Sequence, residues 1–108
     1  VSNDIDIYKE ALMTVDVRFV HFDLSETSKT YLDSKLERIE YAKDMIVDLI
    51  FVITKEKDFK LEATVNFRWG VQAHVEEREF DVNTGIDKLM DRLEQKISKE
   101  KEKIQERK

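Results

Sequence analysis

The chain has 108 residues, 40% of them charged, with no cysteine, no proline, two glycines and a formal net charge of −5. Such totals fit a single domain in a cytoplasmic setting, with no thiol for disulfides or thiolate metal sites and too little glycine and proline for flexible linkers. The longest apolar run, Met45 to Ile53, is broken by Asp48 and is far shorter than the ~20 residues of a membrane span, and residues 1–12 lack the basic start and apolar middle of a signal peptide.

Residues 1–12 fall outside the pattern that follows. Ile5, Tyr8 and Leu12 could form one apolar edge of a short helix, and Met13 reads as an original start, so 1–12 is taken as an N-terminal extension or an appended segment. Val15, Val17 and Phe19 alternate with Asp16 and Arg18, the period of two that marks a half-buried strand. Ser25 offers an N-cap oxygen, and Ser28, Leu32, Leu36, Ile39 and Ala42 follow at helical spacing with Tyr31 beside them, which predicts a helix over 26–43. Met45 to Lys55 is rich in Val, Ile and Phe, as a central strand covered on at least one face would be. Phe59, Leu61, Ala63, Val65 and Phe67 alternate with Lys60, Glu62, Thr64, Asn66 and Arg68, giving the clearest strand in the chain. Trp69-Gly70 then marks a hairpin turn, and Val71, Ala73 and Val75 begin a fourth strand with Gln72, His74 and Glu76 on its other face. Asp81 is placed to cap a final helix with the apolar stripe Ile86, Leu89, Met90, Leu93, Ile97 and Ile104.

The predicted fold class is therefore α+β, in the order β-α-β-β-β-α, with a four-stranded mixed sheet and two helices packed on one face. The first strand–helix–strand unit makes a right-handed crossover between parallel strands, and two hairpins follow. Both helices must cover the same apolar sheet face, which leaves the other face polar and open. Residues 13–108 make up this one domain.

Charge is unevenly placed. Residues 87–108 carry eight Lys/Arg against six Asp/Glu, a net of +2, whereas residues 1–86 carry −7. A site for a polyanion is therefore expected on the last helix. Projected at about 100° per residue, Lys88, Lys99, Arg92, Lys103, Lys96 and Arg107 share a stripe roughly 100° wide beside the apolar stripe, with Asp87, Asp91, Glu94 and Glu102 on the far side. Intrahelical salt bridging would interleave the signs four residues apart, but Lys88-Arg92-Lys96 and Lys99-Lys103-Arg107 are like-charge series. That segregation suggests an external anion, against the plain alternative of a solvated lysine-rich face. Lys35 and Arg38 extend the basic surface if the two helices are neighbours, although Lys35 also reads as a stem lying along the apolar stripe.

Catalytic chemistry has little support. His21 and His74 are the sole histidines and neither belongs to a nucleophile motif, the carboxylates sit in charged surroundings, and Gly70 and Gly85 form no phosphate loop. His74 and Glu76 put two metal donors on one strand face, but a third is not evident, so neither a metal nor another cofactor is expected. Trp69 at a hairpin tip is a candidate to stack on a base or, more simply, to cap the sheet edge.

These elements resemble the ribosome hibernation promoting factor family, which includes the ribosome-associated inhibitor A proteins, from about Val15 to Lys103. The stretch HFDLSETSKTYLDSKLERIE, His21 to Glu40, is similar to the family's opening helix, with Ser25 at its threonine cap and Lys35-Leu36-Glu37-Arg38 at its Lys-Leu-Glu-Arg stretch. The stretch DVNTGIDKLMDRLEQKISKEKEK, Asp81 to Lys103, resembles the family's Asp-Met-Tyr-Ala-Ala-Ile-Asp opening and lysine-rich finish. Asp81, Ile86, Asp87, Leu89, Leu93, Lys99, Lys101 and Lys103 agree outright, and Arg92 replaces a lysine. Asn83 stands where the family has tyrosine, Thr84-Gly85 replace Ala-Ala, Gln95 takes the place of arginine and Glu100 that of histidine.

The resemblance implies a binding protein and not an enzyme. Such proteins occupy the small ribosomal subunit at the decoding region, in the channel used by mRNA and tRNA, and silence translation under starvation or stress. With the basic stripe it implies Lys35, Arg38, Lys88, Arg92, Lys96, Lys99, Lys101, Lys103 and Arg107 as rRNA contacts, read through phosphates and shape. The expected partner is the small subunit and its rRNA, with no membrane and no small-molecule substrate, and with ribosome dimerisation if the chain is the front of a long form. Two other readings stay open: a double-stranded-RNA-binding module, and a protein-interaction domain using the open sheet face.

Overall fold

In the computed structural model, residues 14–106 are described, and the segment 1–12 singled out above lies outside them. Strand β1 (Thr14–Val20) is followed by helix α1 (Glu26–Leu36), a 3-10 segment (Glu37–Met45), β2 (Ile46–Lys55), β3 (Phe59–Phe67), β4 (Gln72–Glu79) and helix α2 (Val82–Glu106). The sheet order is β1-β2-β3-β4, with β1 and β2 parallel and the other two pairs antiparallel. The order β-α-β-β-β-α and the mixed sheet are thus as the periodicity predicts. Among the described residues no helix is long and apolar enough to cross a membrane.

Alternation in the strands builds three full rows on the sheet's inner face, with the Ile46–Phe67 pair added beyond a register shift in β2. Val15, Leu49, Val65 and Ala73 form one, Val17, Phe51, Ala63 and Val75 the next, and Phe19, Ile53, Leu61 and Glu77 the third. Phe51 beside Ala63 sets a large side chain against a small one, and both are fully buried. Leu32 and Ile39 from the first helical stretch and Ile86, Leu89, Met90, Leu93 and Ile97 from α2 join these rows in one core cluster. The two helices therefore share one sheet face.

The helix predicted over 26–43 changes pitch. Ser25 caps α1 by accepting the Ser28 amide at 3.2 Å, but α-helix ends at Leu36 and gives way to the 3-10 segment. The reason lies in the apolar spacing, which shifts from four residues (Leu32 to Leu36) to three (Leu36, Ile39, Ala42, Met45). In an α-helix, steps of three drift by about 60° each and would carry Met45 to the side opposite Leu36. At about 3.0 residues per turn they stay on one face. Ile39 and Ala42 are wholly buried as a result.

At the other end of the sheet, β3 and β4 are joined by a turn in which the Gly70 amide donates to the Phe67 carbonyl at 3.1 Å. Gly70 takes φ of 89°, the left-handed conformation that closes a three-residue hairpin loop. Helix α2 then starts on Asp81, whose carboxylate accepts from the Thr84 amide at 2.9 Å and the Thr84 hydroxyl at 2.8 Å. Those bonds, the amide first, hold the Asp81 carboxyl below its ordinary pKa. This contribution to the cap is present at neutral pH and is lost as pH falls through the lowered value.

Gly85 explains one departure from the family pattern. A Cβ there would stand 2.5 Å from Leu61 Cδ1 and 3.1 Å from Cδ2, so the first turn of α2 lies close on β3 only because the side chain is missing. Gly85→Ala gains about 1 kcal/mol of helix propensity but overpacks a buried leucine, at a cost of about 1–3 kcal/mol. The substitution is expected to lower the urea midpoint. In a Leu61→Val background, which removes both Cδ atoms, the same step should become neutral or stabilising.

Candidate nucleic-acid interface

Burial of the Ile86, Leu89, Met90, Leu93 and Ile97 stripe fixes how α2 is rotated on the sheet. One flank of the helix then faces β4 and the other faces α1, and each flank meets charges of opposite sign. On the β4 side, Lys88 pairs with Glu79, and Arg92 reaches Glu77 at 2.7 Å and the Glu76 carbonyl at 3.5 Å. The hydrogen bond to Glu79 raises the Lys88 pKa, so the ammonium persists through neutral pH and is lost as pH rises through the raised value.

On the α1 side, Arg38 lies between Asp91, at 3.0 Å, and Glu94, and Lys35 lies 3.3 Å from Asp87. The Tyr31 hydroxyl also donates to Asp87, and that hydrogen bond raises the Tyr31 pKa. Hydrogen bonding to Asp87 likewise raises the Lys35 pKa, and hydrogen bonds to Asp91 and Glu94 raise that of Arg38. Lys35, on α1, and Arg38, on the 3-10 segment that continues it, do neighbour α2. Their charges, however, face the acidic flank of α2 and do not run on from its basic stripe.

The second half of α2 is different. Lys96 and Lys99 are exposed and make no ion pair among the described residues. Lys103 is 65% exposed, with a carboxylate oxygen of Glu100 4.0 Å away. Lys101 points to the opposite flank, toward the 3-10 segment, with its ammonium 5.2 Å from the centre of the Tyr41 ring. Arg107 lies outside the described residues. Of the nine cations singled out in the sequence, the structure thus gathers Lys96, Lys99 and Lys103 as a ridge, sets Lys101 on the other flank at Tyr41, and commits Lys35, Arg38, Lys88 and Arg92 to carboxylates.

What positions this ridge is a contact that the sequence reading missed. Glu100 is only 7% exposed, and its carboxylate accepts from the Trp69 indole at 2.7 Å. Trp69 in turn stacks on Phe67, with ring centres 5.4 Å apart and planes 17° from parallel. On the other side of the helix, the Tyr41 and Ser98 hydroxyls are 3.2 Å apart. The hairpin tip and the 3-10 segment therefore grip α2 where the ridge begins. A signal for Glu100 was present, because it falls within the apolar stripe between Ile97 and Ile104. Trp69 serves as the hairpin's contact with α2 instead of standing free for a base.

Comparison with known proteins agrees with this architecture. The family model described as Sigma 54 modulation protein / S30EA ribosomal protein matches residues 15–105. A ribosome hibernation promoting factor of Azotobacter vinelandii is 30% identical over 96 residues, covering 88% of this chain and 89% of that protein. One from Pseudomonas putida is 32% identical over 94 residues, covering 86% and 91%. In structure, the chain is similar to a ribosomal subunit interface protein from Coxiella burnetii, with a TM-score of 0.74, 24% identity, and coverage of 82% of this chain and 98% of that one. It is also similar to the N-terminal domain of Thermus thermophilus Protein Y, with a TM-score of 0.69, 23% identity, and coverage of 81% and 98%. At these identities the two structures speak to the fold.

The Trp69–Glu100 contact can be tested without any partner. Trp69→Phe leaves a buried carboxylate short of its donor, which costs about 1–3 kcal/mol. Replacing both groups, as Trp69→Phe with Glu100→Met, removes the unsatisfied charge and should recover much of that loss. Urea unfolding followed by far-ultraviolet circular dichroism gives both values, and equal stability of the single and double variants would show that the indole hydrogen bond contributes nothing.

Proposed function

The chain belongs to the Sigma 54 modulation protein / S30EA ribosomal protein family, and we propose that it is a ribosome hibernation factor that binds the small subunit and blocks translation under starvation or stress. In this reading it sits in the cytoplasm at the decoding region, in the path of mRNA and tRNA, and meets rRNA phosphates through the second half of α2. The observation that carries the site is the contrast along one helix: Lys88 and Arg92 are neutralised by β4, whereas Lys96 and Lys99 have no carboxylate partner among the described residues.

Energetics favour the same division. A cation that already holds a carboxylate must give up that pair to take a phosphate, whereas an exposed lysine releases only its hydration and gains from the counterions freed at the RNA. The acidic remainder of the surface repels polyanions and so restricts the protein to a partner that engages the ridge alone. Lys101 is turned to the Tyr41 flank, away from the ridge, while Lys35, Arg38, Lys88 and Arg92 stay paired within the fold. Chemistry is not required of the protein, since occupying the channel suffices to exclude mRNA.

Co-sedimentation with purified small subunits across a salt series tests the assignment. Lys96→Glu, Lys99→Glu and Lys103→Glu together should abolish binding and relieve inhibition of cell-free translation, with circular dichroism unchanged. Single alanine substitutions at these positions should each lower the salt slope by about one, whereas Lys88→Ala and Arg92→Ala should leave the slope unchanged. An equal charge change at Lys29, Lys55 and Lys57, near the opposite end of α2, is the control and should have little effect. Wild-type co-sedimentation by the ridge variant would remove the ridge from the interface.

A further inference from the structure

The open face of the sheet carries a cluster that the ribosome reading does not use. His74 and Glu76 project from it together, as their alternation in β4 requires, and the β3–β4 register sets Glu62 directly across from Glu76. This strand pairing supplies the third donor that the sequence alone did not show. We propose that Glu62, His74 and Glu76 bind one divalent transition-metal ion of the zinc or cobalt type.

Three observations support the site. First, one donor atom from each residue lies within 4.8 Å of the other two, and His74 Nε2 is already 3.6 Å from Glu62 Oε1. Donors around a tetrahedral zinc ion, bound at about 2.0–2.1 Å, are roughly 3.3 Å apart, so side-chain rotation closes the cluster with no backbone movement. Second, His74 Nδ1 lies 2.9 Å from the Thr64 hydroxyl, its cross-strand partner. With that hydroxyl accepting from Nδ1–H, the Nε2 lone pair is free and aimed at the carboxylates, which is the outer-shell arrangement that orients metal-binding histidines.

Third, the charges on this part of the sheet do not balance. Glu62 and Glu76 are like charges directly opposite one another on neighbouring strands, a destabilising arrangement. Lys60 stands 4.0 Å from Glu62, whereas Glu76 has no ion pair among the described residues, and Arg78 is committed to Glu56 and Asp58. A divalent cation between the two carboxylates neutralises both. One imidazole and two carboxylates suit zinc, cobalt or nickel, whereas calcium needs six to eight oxygens. The remaining coordination position falls to water. Both helices lie on the other face, so an occupied site leaves the α2 ridge free.

The whole chain has no cysteine and one other histidine, His21, which keeps the test simple. Zinc chloride titrated into the protein by calorimetry in a non-chelating buffer should show one ion per chain. Cobalt(II) should give the visible absorption of a low-coordinate site with a nitrogen ligand. His74→Ala, Glu62→Gln and Glu76→Gln should each weaken binding by more than tenfold, and Thr64→Val, which removes no ligand, by about tenfold. His21→Ala should bind as wild type. Absence of zinc uptake at submillimolar concentration overturns the proposal, as does uptake that survives His74→Ala or that ignores Thr64→Val.

Discussion

Covering one apolar sheet face with two helices governs nearly everything else in this molecule. The three rows of inner-face side chains can be sealed only if α2 lies with Ile86, Leu89, Met90, Leu93 and Ile97 against β3 and β4, and all five are at most 1% exposed. Once that stripe is down, the helix has no rotational freedom. Its cations turn toward the edge strand β4 and its carboxylates toward α1. The pairs Lys88–Glu79, Arg92–Glu77, Lys35–Asp87 and Arg38–Asp91 follow from hydrophobic burial and are not what brings the helices together. Exposed pairs of this kind are screened by solvent and contribute far less than burial of the stripe.

This order of causes changes the meaning of the segregated charge on α2. Like charges four residues apart weaken an isolated helix, and seen alone they suggest an external anion along the whole length. In the folded chain, the first half of the stripe is balanced from within by β4. Only where β4 gives way to the hairpin loop does the supply of carboxylates stop, and there Lys96 and Lys99 are left to solvent. The balance of sign along one helix thus depends on how far the neighbouring strand runs beside it.

How much of this was legible beforehand depends on the range of the interaction. The strands were readable because inner and outer residues alternate, broken in β2 only at the irregularity between Ile46 and Asp48, and the helix on Asp81 because its cap and stripe are local. The parallel pairing of β1 and β2 also followed, since an intervening helix leaves room for a crossover. The switch to a 3-10 segment was written in the three-residue spacing of Leu36, Ile39, Ala42 and Met45, but a reading that scores only helical recurrence treats spacings of three and four alike. Lys88 and Arg92 could not be assigned partners, because these depend on which helix flank meets the sheet edge. Glu100 and Trp69, 31 residues apart, meet only once α2 has a fixed position along β4. The trio on the open face likewise needed the β3–β4 register.

The grip on α2 from two sides also bears on the entropy of association. Trp69 holds the helix at Glu100 and Tyr41 holds it at Ser98, so the backbone that presents Lys96, Lys99 and Lys103 is ordered before any partner arrives. A basic tail that folds only on contact gives up about 1–2 kcal/mol for each residue it orders. Here only lysine side chains remain to be fixed, at about 0.5–1.5 kcal/mol apiece. If the ridge meets a polyanion as proposed, preorganisation lets a handful of cations on an acidic protein match a longer and more highly charged disordered segment.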